Sequence, residues 1–208
     1  MKVAVLGGTG KVGSGVAKQL VKRHQVVIGS RDPAKAKEAA RRIRGATGAD
    51  YASAAREADV VVFALPYSAL ETASMLAKEL SGKLVISTVN PLKYENGLAY
   101  HAPKESSAAQ ELAKLIPESR VATAFNNVPA AFLQQEEVAP MDIMIAADSE
   151  KTYQEAARIV GSIPNVRPLY AGPLSQAAMV EGMTAVVLNL ASLNRTGVLT
   201  TKFVSRKD

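Results

Sequence analysis

Close to the N-terminus the run Gly8-Thr9-Gly10-Lys11-Val12-Gly13 has the spacing G-x-G-x-x-G and directly follows the apolar stretch Val3-Ala4-Val5-Leu6. Such a run, set between a strand and a helix, is built to hold a diphosphate. Glycine at 8 permits the tight turn, glycine at 10 lets the backbone approach the phosphates, and glycine at 13 lets the helix pack closely on the strand. The helix N-terminus then offers free N–H groups to the anion. Thr9, Lys11 and Val12 complete the cradle. A second candidate lies where the next strand should end, in Gly29-Ser30-Arg31-Asp32-Pro33. A site for a ribose 2′-hydroxyl places a carboxylate there, whereas Ser30 and the Arg31 guanidinium suit a 2′-phosphate. Asp32 precedes Pro33, the pairing of an N-cap with a first helical residue, and is assigned to capping. Lys35 falls in the first turn of that helix, where a cation opposes the macrodipole, and a neighbouring 2′-phosphate would account for it. These residues together imply NADP(H).

A site of this kind needs a sheet whose strand ends converge on it. β-branched runs at Val3–Leu6, Val26–Ile28, Val60–Leu65, Leu84–Thr88, Val121–Phe125 and Ile143–Ala146 read as strands. Helical spacing fills the intervals 13–24, 33–44, 68–80, 106–116 and 151–163. Alternation of the two, joined by right-handed crossovers, predicts an α/β fold: a Rossmann-type, doubly wound, mostly parallel sheet. Leu65-Pro66-Tyr67 and Val89-Asn90-Pro91 then supply turns that line the ribose and nicotinamide side, with Leu65, Pro66 and Asn90 as binding residues and Tyr67 as wall. The stretch Pro91–Lys104 shows no periodicity and is read as a loop able to cover a ligand. From Pro173 a short C-terminal helical appendage is expected, dividing the chain into a dinucleotide-binding domain, 1–172, and a helix and tail, 173–208. The apolar segment Ala177–Leu193 is interrupted by Glu181 and Asn189 and is read as a buried helix rather than a membrane span.

Composition excludes several kinds of chemistry. The 208 residues contain no cysteine, so neither a thiolate nucleophile nor a disulfide is available, and redox work falls to a cofactor. His24 and His101 stand far apart without ligand-spaced partners, so no metal site is expected. A formal charge of +6 is spread over helical positions such as Lys18, Lys22, Arg41 and Arg44 without interleaved aromatics, which argues against nucleic acid. The opening residues carry no secretory pattern, so a cytoplasmic protein is expected. Apolar residues surround most of the final helix, and a homodimer is expected to cover them.

Leu6-Gly7-Gly8-Thr9-Gly10 and Val27-Ile28-Gly29-Ser30-Arg31 resemble the NADP-dependent reductases of coenzyme F420, an 8-hydroxy-5-deazaflavin. The likeness continues through Ser106–Ala109, Val128–Ala131, Ala171–Ser175, Val180-Glu181 with Thr184, and Gly197–Leu199 with Lys202-Phe203. What it implies is hydride transfer between NADP(H) and F420. It also implies 2′-phosphate contacts from Ser30, Arg31 and Lys35, and a deazaflavin pocket bordered by Pro129, Ala130, Ala131, Thr184 and Leu199. Archaeal members of that family carry histidine, arginine and serine where this chain has Asn126, Ala178 and Gly182; Asn126 keeps a polar group on the deazaflavin side. Ala124-Phe125-Asn126 with Val89-Asn90-Pro91 also resembles cytosolic reductase domains that pass hydride to a conventional flavin, so a flavin is the alternative acceptor. A non-catalytic NADP(H) sensor is the third reading. The resemblance assigns no side chain an indispensable acid–base role.

Overall fold

The computed structural model describes residues 1–205. In chain order the elements are β1 (Lys2–Leu6), α1 (Lys11–Leu20), β2 (Gln25–Ser30), α2 (Pro33–Arg41), β3 (Ala46–Asp50), α3 (Tyr51–Glu57) and β4 (Val60–Phe63). There follow α4 (Thr72–Met75), α5 (Ala77–Leu80), β5 (Leu84–Ser87), β6 (Leu92–Tyr94), β7 (Leu98–Tyr100), α6 (Ala108–Leu115) and β8 (Arg120–Thr123). The last are α7 (Ala130–Leu133), β9 (Met141–Ala147), α8 (Glu150–Val160), β10 (Val166–Gly172) and α9 (Ala177–Asn194). Eight strands form one sheet in the order β10-β9-β8-β5-β4-β1-β2-β3, and β6 pairs with β7 in a separate hairpin. The strands from β3 across to β8 are parallel, and β9 enters antiparallel to β8 with β10 parallel to β9.

Burial on both faces explains why β4 is an uninterrupted apolar run and why β5 is apolar up to its last residue, Ser87. The pleat sorts the side chains into two cores. Val3, Val5, Ile28, Val62 and Ile86 pack with Val16 and Leu20 of α1 and Ile159 of α8 on one face. Ala4, Leu6, Val61, Phe63 and Val85 pack with Ala54 of α3, Leu112 of α6 and Val180 of α9 on the other. Winding reverses between β1 and β4, so the connections leaving their C-terminal ends run to opposite faces of the sheet and leave a crevice.

Several expectations need amendment. The helix expected over 68–80 is broken into a turn of 3₁₀ helix at Tyr67–Ala69 and the four-residue turns α4 and α5. The loop expected at Pro91–Lys104 contains the hairpin β6–β7. Helix α9 is only partly buried: Ala177, Val180, Glu181, Ala185 and Val187 face inward, while Met179, Val186, Leu190 and Leu193 are exposed. The segment Leu174–Asn194 is long and apolar enough to cross a membrane by length and composition alone. Its packed side, however, carries Glu181 and Asn189, both hydrogen-bonded to the rest of the protein. Of the expected C-terminal unit, residues 206–208 lie outside the described residues.

Candidate active site

The glycine turn forms because two backbones meet beneath it. Gly7 adopts φ +83°, and a Cβ there would lie 2.5 Å from the Ala64 carbonyl oxygen at the end of β4. The left-handed residue is therefore Gly7 rather than Gly8, which is instead confined by Ile28 below it. At Gly13 a Cβ would come within 2.4 Å of the Gly7 carbonyl oxygen, so the third glycine lets α1 press onto the turn as its spacing predicts.

Caps distinguish α1 from α2, α3, α6 and α8. Asp32, Asp50, Ser107 and Ser149 accept backbone N–H groups at the starts of α2, α3, α6 and α8. Gly10 gives α1 no side-chain cap, so the first N–H groups of the helix are left for another acceptor. Uncapped donors aimed at a crevice fit an anion such as a diphosphate. Asp32 accepts from the Ala34 N–H at 2.8 Å and the Lys35 N–H at 3.4 Å, as its assignment to capping requires. Ser30 is buried at the end of β2, whereas Arg31 and Lys35 are exposed beside it and have no carboxylate partner among the described residues.

Two hollows open side by side at the crevice. A cleft of about 800 Å³ is lined by Gly10–Gly13, Leu65-Pro66-Tyr67, Thr88–Pro91 and the hairpin residues Lys93 and His101. Adjoining it, a smaller hollow of about 180 Å³ is lined by Phe125, Asn126, Asn127, Val128, Pro129, Ala130, Thr184, Val187 and Leu188. Val12, Thr88 and Asn90 line both. The structure thus brings together Gly10, Lys11, Val12, Gly13, Leu65, Pro66 and Asn90 in one space, and Asn126, Pro129, Ala130 and Thr184 in the next. Ser30, Arg31 and Lys35 stand apart at the end of β2. Gly8 is buried within the turn, and Thr9 is exposed and faces the groove between α1 and α2. Ala131 is exposed on the first turn of α7. Leu199 is half-buried and lines neither hollow.

Asn126 has a different part from the one expected. Its side-chain amide donates to the Val89 carbonyl at 3.0 Å and to Asn90 Oδ1 at 2.9 Å, and its Oδ1 accepts from Thr123 at 2.6 Å. Both amide protons are committed, so Asn126 clamps the end of β8 to the end of β5 instead of offering a donor outward. Asn90 returns a bond to the Asn126 carbonyl at 3.1 Å, and the Thr184 hydroxyl donates to the same carbonyl. Phe125, one residue earlier, is held at φ +66° with its ring buried. A bulky residue in the left-handed region marks a backbone that its surroundings over-determine. Asn127 donates to the Asp142 carbonyl and to Thr201, pinning the tail that follows Leu199.

Sequence reasoning missed Thr88, Phe125, Val128, Val187 and Leu188 as lining residues, because apolar side chains in strand ends and helices signal burial equally well. It also passed over Lys93 and His101, whose place depends on the hairpin. Tyr67 borders the cleft, and its hydroxyl donates to Glu111 at 2.8 Å. Burial and that carboxylate push the phenol up to about 12.

Glu181 lies fully buried beneath the hairpin. It accepts the N–H groups of Ala108 and Ala109 at 3.0 and 2.9 Å and the Tyr100 hydroxyl at 3.1 Å. Burial outweighs these bonds and raises its carboxyl to about 7. The unfolded chain gives up this proton near the ordinary carboxylate value, whereas the folded chain holds it to about pH 7. The contribution of this one group to stability is therefore full below about pH 4.5 and is lost as pH climbs to 7, by roughly 3 kcal/mol. Thermal melts from pH 5 to 8 should show a decline that Glu181→Gln removes. An unchanged slope in that variant would assign the titration elsewhere, and not to His24, whose burial lowers its pKa and makes stability rise with pH.

Adjoining hollows placed where the sheet changes its winding direction define the class: a dinucleotide-dependent oxidoreductase of Rossmann type. The family described as NADP oxidoreductase, coenzyme F420-dependent, matches residues 2–91. The F420-dependent NADP reductase of Methanocaldococcus jannaschii is 33% identical over 205 residues, covering 91% of this chain and 92% of that protein. Its counterpart from Methanothermobacter thermautotrophicus is 35% identical over 211 residues, covering 94% and 91%. The chain belongs to the coenzyme F420-dependent NADP oxidoreductase family. A crystal structure of a candidate F420-dependent NADP reductase from Arthrobacter sp. superposes with a TM-score of 0.86 over 99% of this chain and all of that one, at 23% identity.

Proposed function

We propose that the protein transfers hydride between NADP(H) and the deazaflavin coenzyme F420, and that the two hollows sharing Val12, Thr88 and Asn90 are the places of the two ring systems. That shared wall is the observation that carries the reading. The bound cofactors supply the chemistry, a nicotinamide carbon giving or taking hydride and a deazaflavin carbon doing the reverse. What remains for the protein is positioning. The glycine turn and the α1 N-terminus hold the diphosphate, while Ser30, Arg31 and Lys35 select the 2′-phosphate. The Asn90–Asn126–Thr184 clamp sets the width of the second hollow. Pro129 and Ala130 border that hollow. Mixing the protein with NADPH and either F420, riboflavin phosphate or neither, and following absorbance, tests this. Rapid oxidation with F420 alone is the expected result; oxidation with riboflavin phosphate alone would make the protein a flavin reductase, and binding of NADPH without oxidation by either would make it a sensor.

The division at Gly172 and Pro173 belongs to the same reading. Residues 1–172 bind the dinucleotide, and the C-terminal helix and tail complete the acceptor pocket, since Thr184, Val187 and Leu188 of α9 line it. The protein acts in the cytoplasm on small cofactors, with neither nucleic acid nor a membrane as partner. A second copy of the chain covers the exposed strip Met179, Val186, Leu190 and Leu193. Sedimentation at micromolar concentration should give a dimer mass, and Leu190→Glu should shift it to the monomer. A wild-type monomer would remove the dimer from this proposal.

A further inference from the structure

The hairpin sorts its own side chains. Lys93 opposes Ala99 and Leu92 opposes Tyr100, and the His101 N–H bonds the Pro91 carbonyl at 2.8 Å, carrying the ladder one step further. Opposed residues on antiparallel strands share a face, and neighbours along a strand alternate. Lys93 and His101 therefore lie on one face as diagonal neighbours, about 7–8 Å apart. The free edge of β7 is fastened to α9: Asn189 accepts from the Leu98 N–H at 2.9 Å and donates to the Leu98 carbonyl at 2.7 Å, as a neighbouring strand would, and the face opposite Lys93 carries Tyr100. The Tyr100 hydroxyl reaches Glu181 from the same face. Held in this way, the ribbon contributes Pro91, Leu92, Lys93 and His101 to the lining of the large cleft, the last two being its basic members.

Charge sharpens the point. Neither Asp nor Glu lines that cleft, and neither Lys93 nor His101 has a carboxylate partner among the described residues. The smaller hollow has no charged lining residue at all. A flat ring seated there must leave any charge it carries outside, and Asn90, which lines both spaces, is only three residues from Lys93. The anionic groups of the dinucleotide have their own donors at the α1 N-terminus and at Ser30 and Arg31.

We propose that Lys93 and His101 form a subsite for a phosphate or phosphodiester carried on the side chain of the hydride acceptor, an inference that rests on the two-ring reading above. The subsite gives the acceptor its grip at the mouth of the cleft, while the uncharged hollow takes the ring. The Lys93 side chain is exposed and makes no hydrogen bond among the described residues, so its replacement leaves the hairpin intact.

The test compares acceptors in pairs that share a ring and differ in side-chain charge. F420 is set against the same deazaflavin with a neutral ribityl chain, and FMN against riboflavin. Binding to the protein saturated with NADP⁺ is followed by ring fluorescence. For whichever ring binds, the anionic member should bind about tenfold more tightly, with a preference that shrinks as salt is added. Replacing both residues (Lys93→Ala with His101→Ala) should bring the preference to about one without changing the affinity of the neutral member, and Lys93→Arg should retain it. An undiminished preference in the double variant overturns the proposal. So does a matching loss of NADP⁺ affinity, which would place the pair on the dinucleotide's diphosphate. Which ring is preferred is read separately: a flavin preference corrects the acceptor assigned above while the side-chain effect still judges the subsite, and binding of none of the four overturns both.

Discussion

Arg31→Ala should weaken NADP(H) binding roughly tenfold to a hundredfold and leave NAD(H) binding almost unchanged. Arg31 sits at the end of β2 next to buried Ser30, and the acidic residue that follows, Asp32, is turned away from the site into the N-cap of α2. With Asp32 drawn into the cap, the end of β2 presents the Arg31 guanidinium to a 2′-phosphate. A charge-assisted hydrogen bond is worth about 1.5–3 kcal/mol, which gives the stated factor. Calorimetry with both nucleotides separates the effects. Equal losses for NADP and NAD would move Arg31 from the 2′-phosphate to a part common to both.

A larger effect is expected from Ala130→Trp, which should abolish hydride transfer while NADP(H) binds normally. Ala130 opens α7 and lines the hollow of about 180 Å³ together with Val12, Phe125, Val128, Pro129 and Thr184. An indole placed there competes for the volume that the acceptor ring needs. Misplacement of reacting groups by about 1 Å already costs on the order of a hundredfold, and full displacement costs more. By contrast, Tyr67→Phe, Asn126→Ala and Thr184→Val should slow turnover without ending it, because they alter positioning alone. Single-turnover kinetics at saturating cofactor check the set. Normal turnover in Ala130→Trp would put the acceptor elsewhere, and complete loss in Tyr67→Phe with both cofactors bound would reveal a required proton-transfer group.

Much of this site was legible in the chain because its parts follow from local rules. Glycines at fixed spacing after an apolar run, a Ser-Arg pair at a strand end and Asp before Pro each carry a meaning independent of the rest of the fold. What escaped depends on tertiary context. Strand β3 reads Ala-Thr-Gly-Ala-Asp, a composition with little strand preference, and it forms because β2 offers a parallel edge. Strand β10 contains Pro168, which is tolerated because this strand lies at the sheet edge. The hairpin reads as a loop in the sequence, because three-residue strands are too short to show alternation. Nothing in the residues around Phe125 announces a left-handed backbone, and nothing between Thr72 and Leu80 explains the break between α4 and α5. Asn126 was recognised as polar and near the acceptor, whereas its commitment to Asn90 and Val89 could only come from the folded arrangement.

Helix α9 touches both halves of the site. Thr184, Val187 and Leu188 face the smaller hollow, and Glu181 and Asn189 hold the hairpin that walls the larger one. Any small shift of this helix made by a ligand in one space is passed to the wall of the other. Thermodynamic linkage then requires reciprocity: if the dinucleotide changes the affinity for the acceptor by some factor, the acceptor changes the affinity for the dinucleotide by the same factor. A protein arranged in this way senses the filling of each space from the other, whichever ligand arrives first.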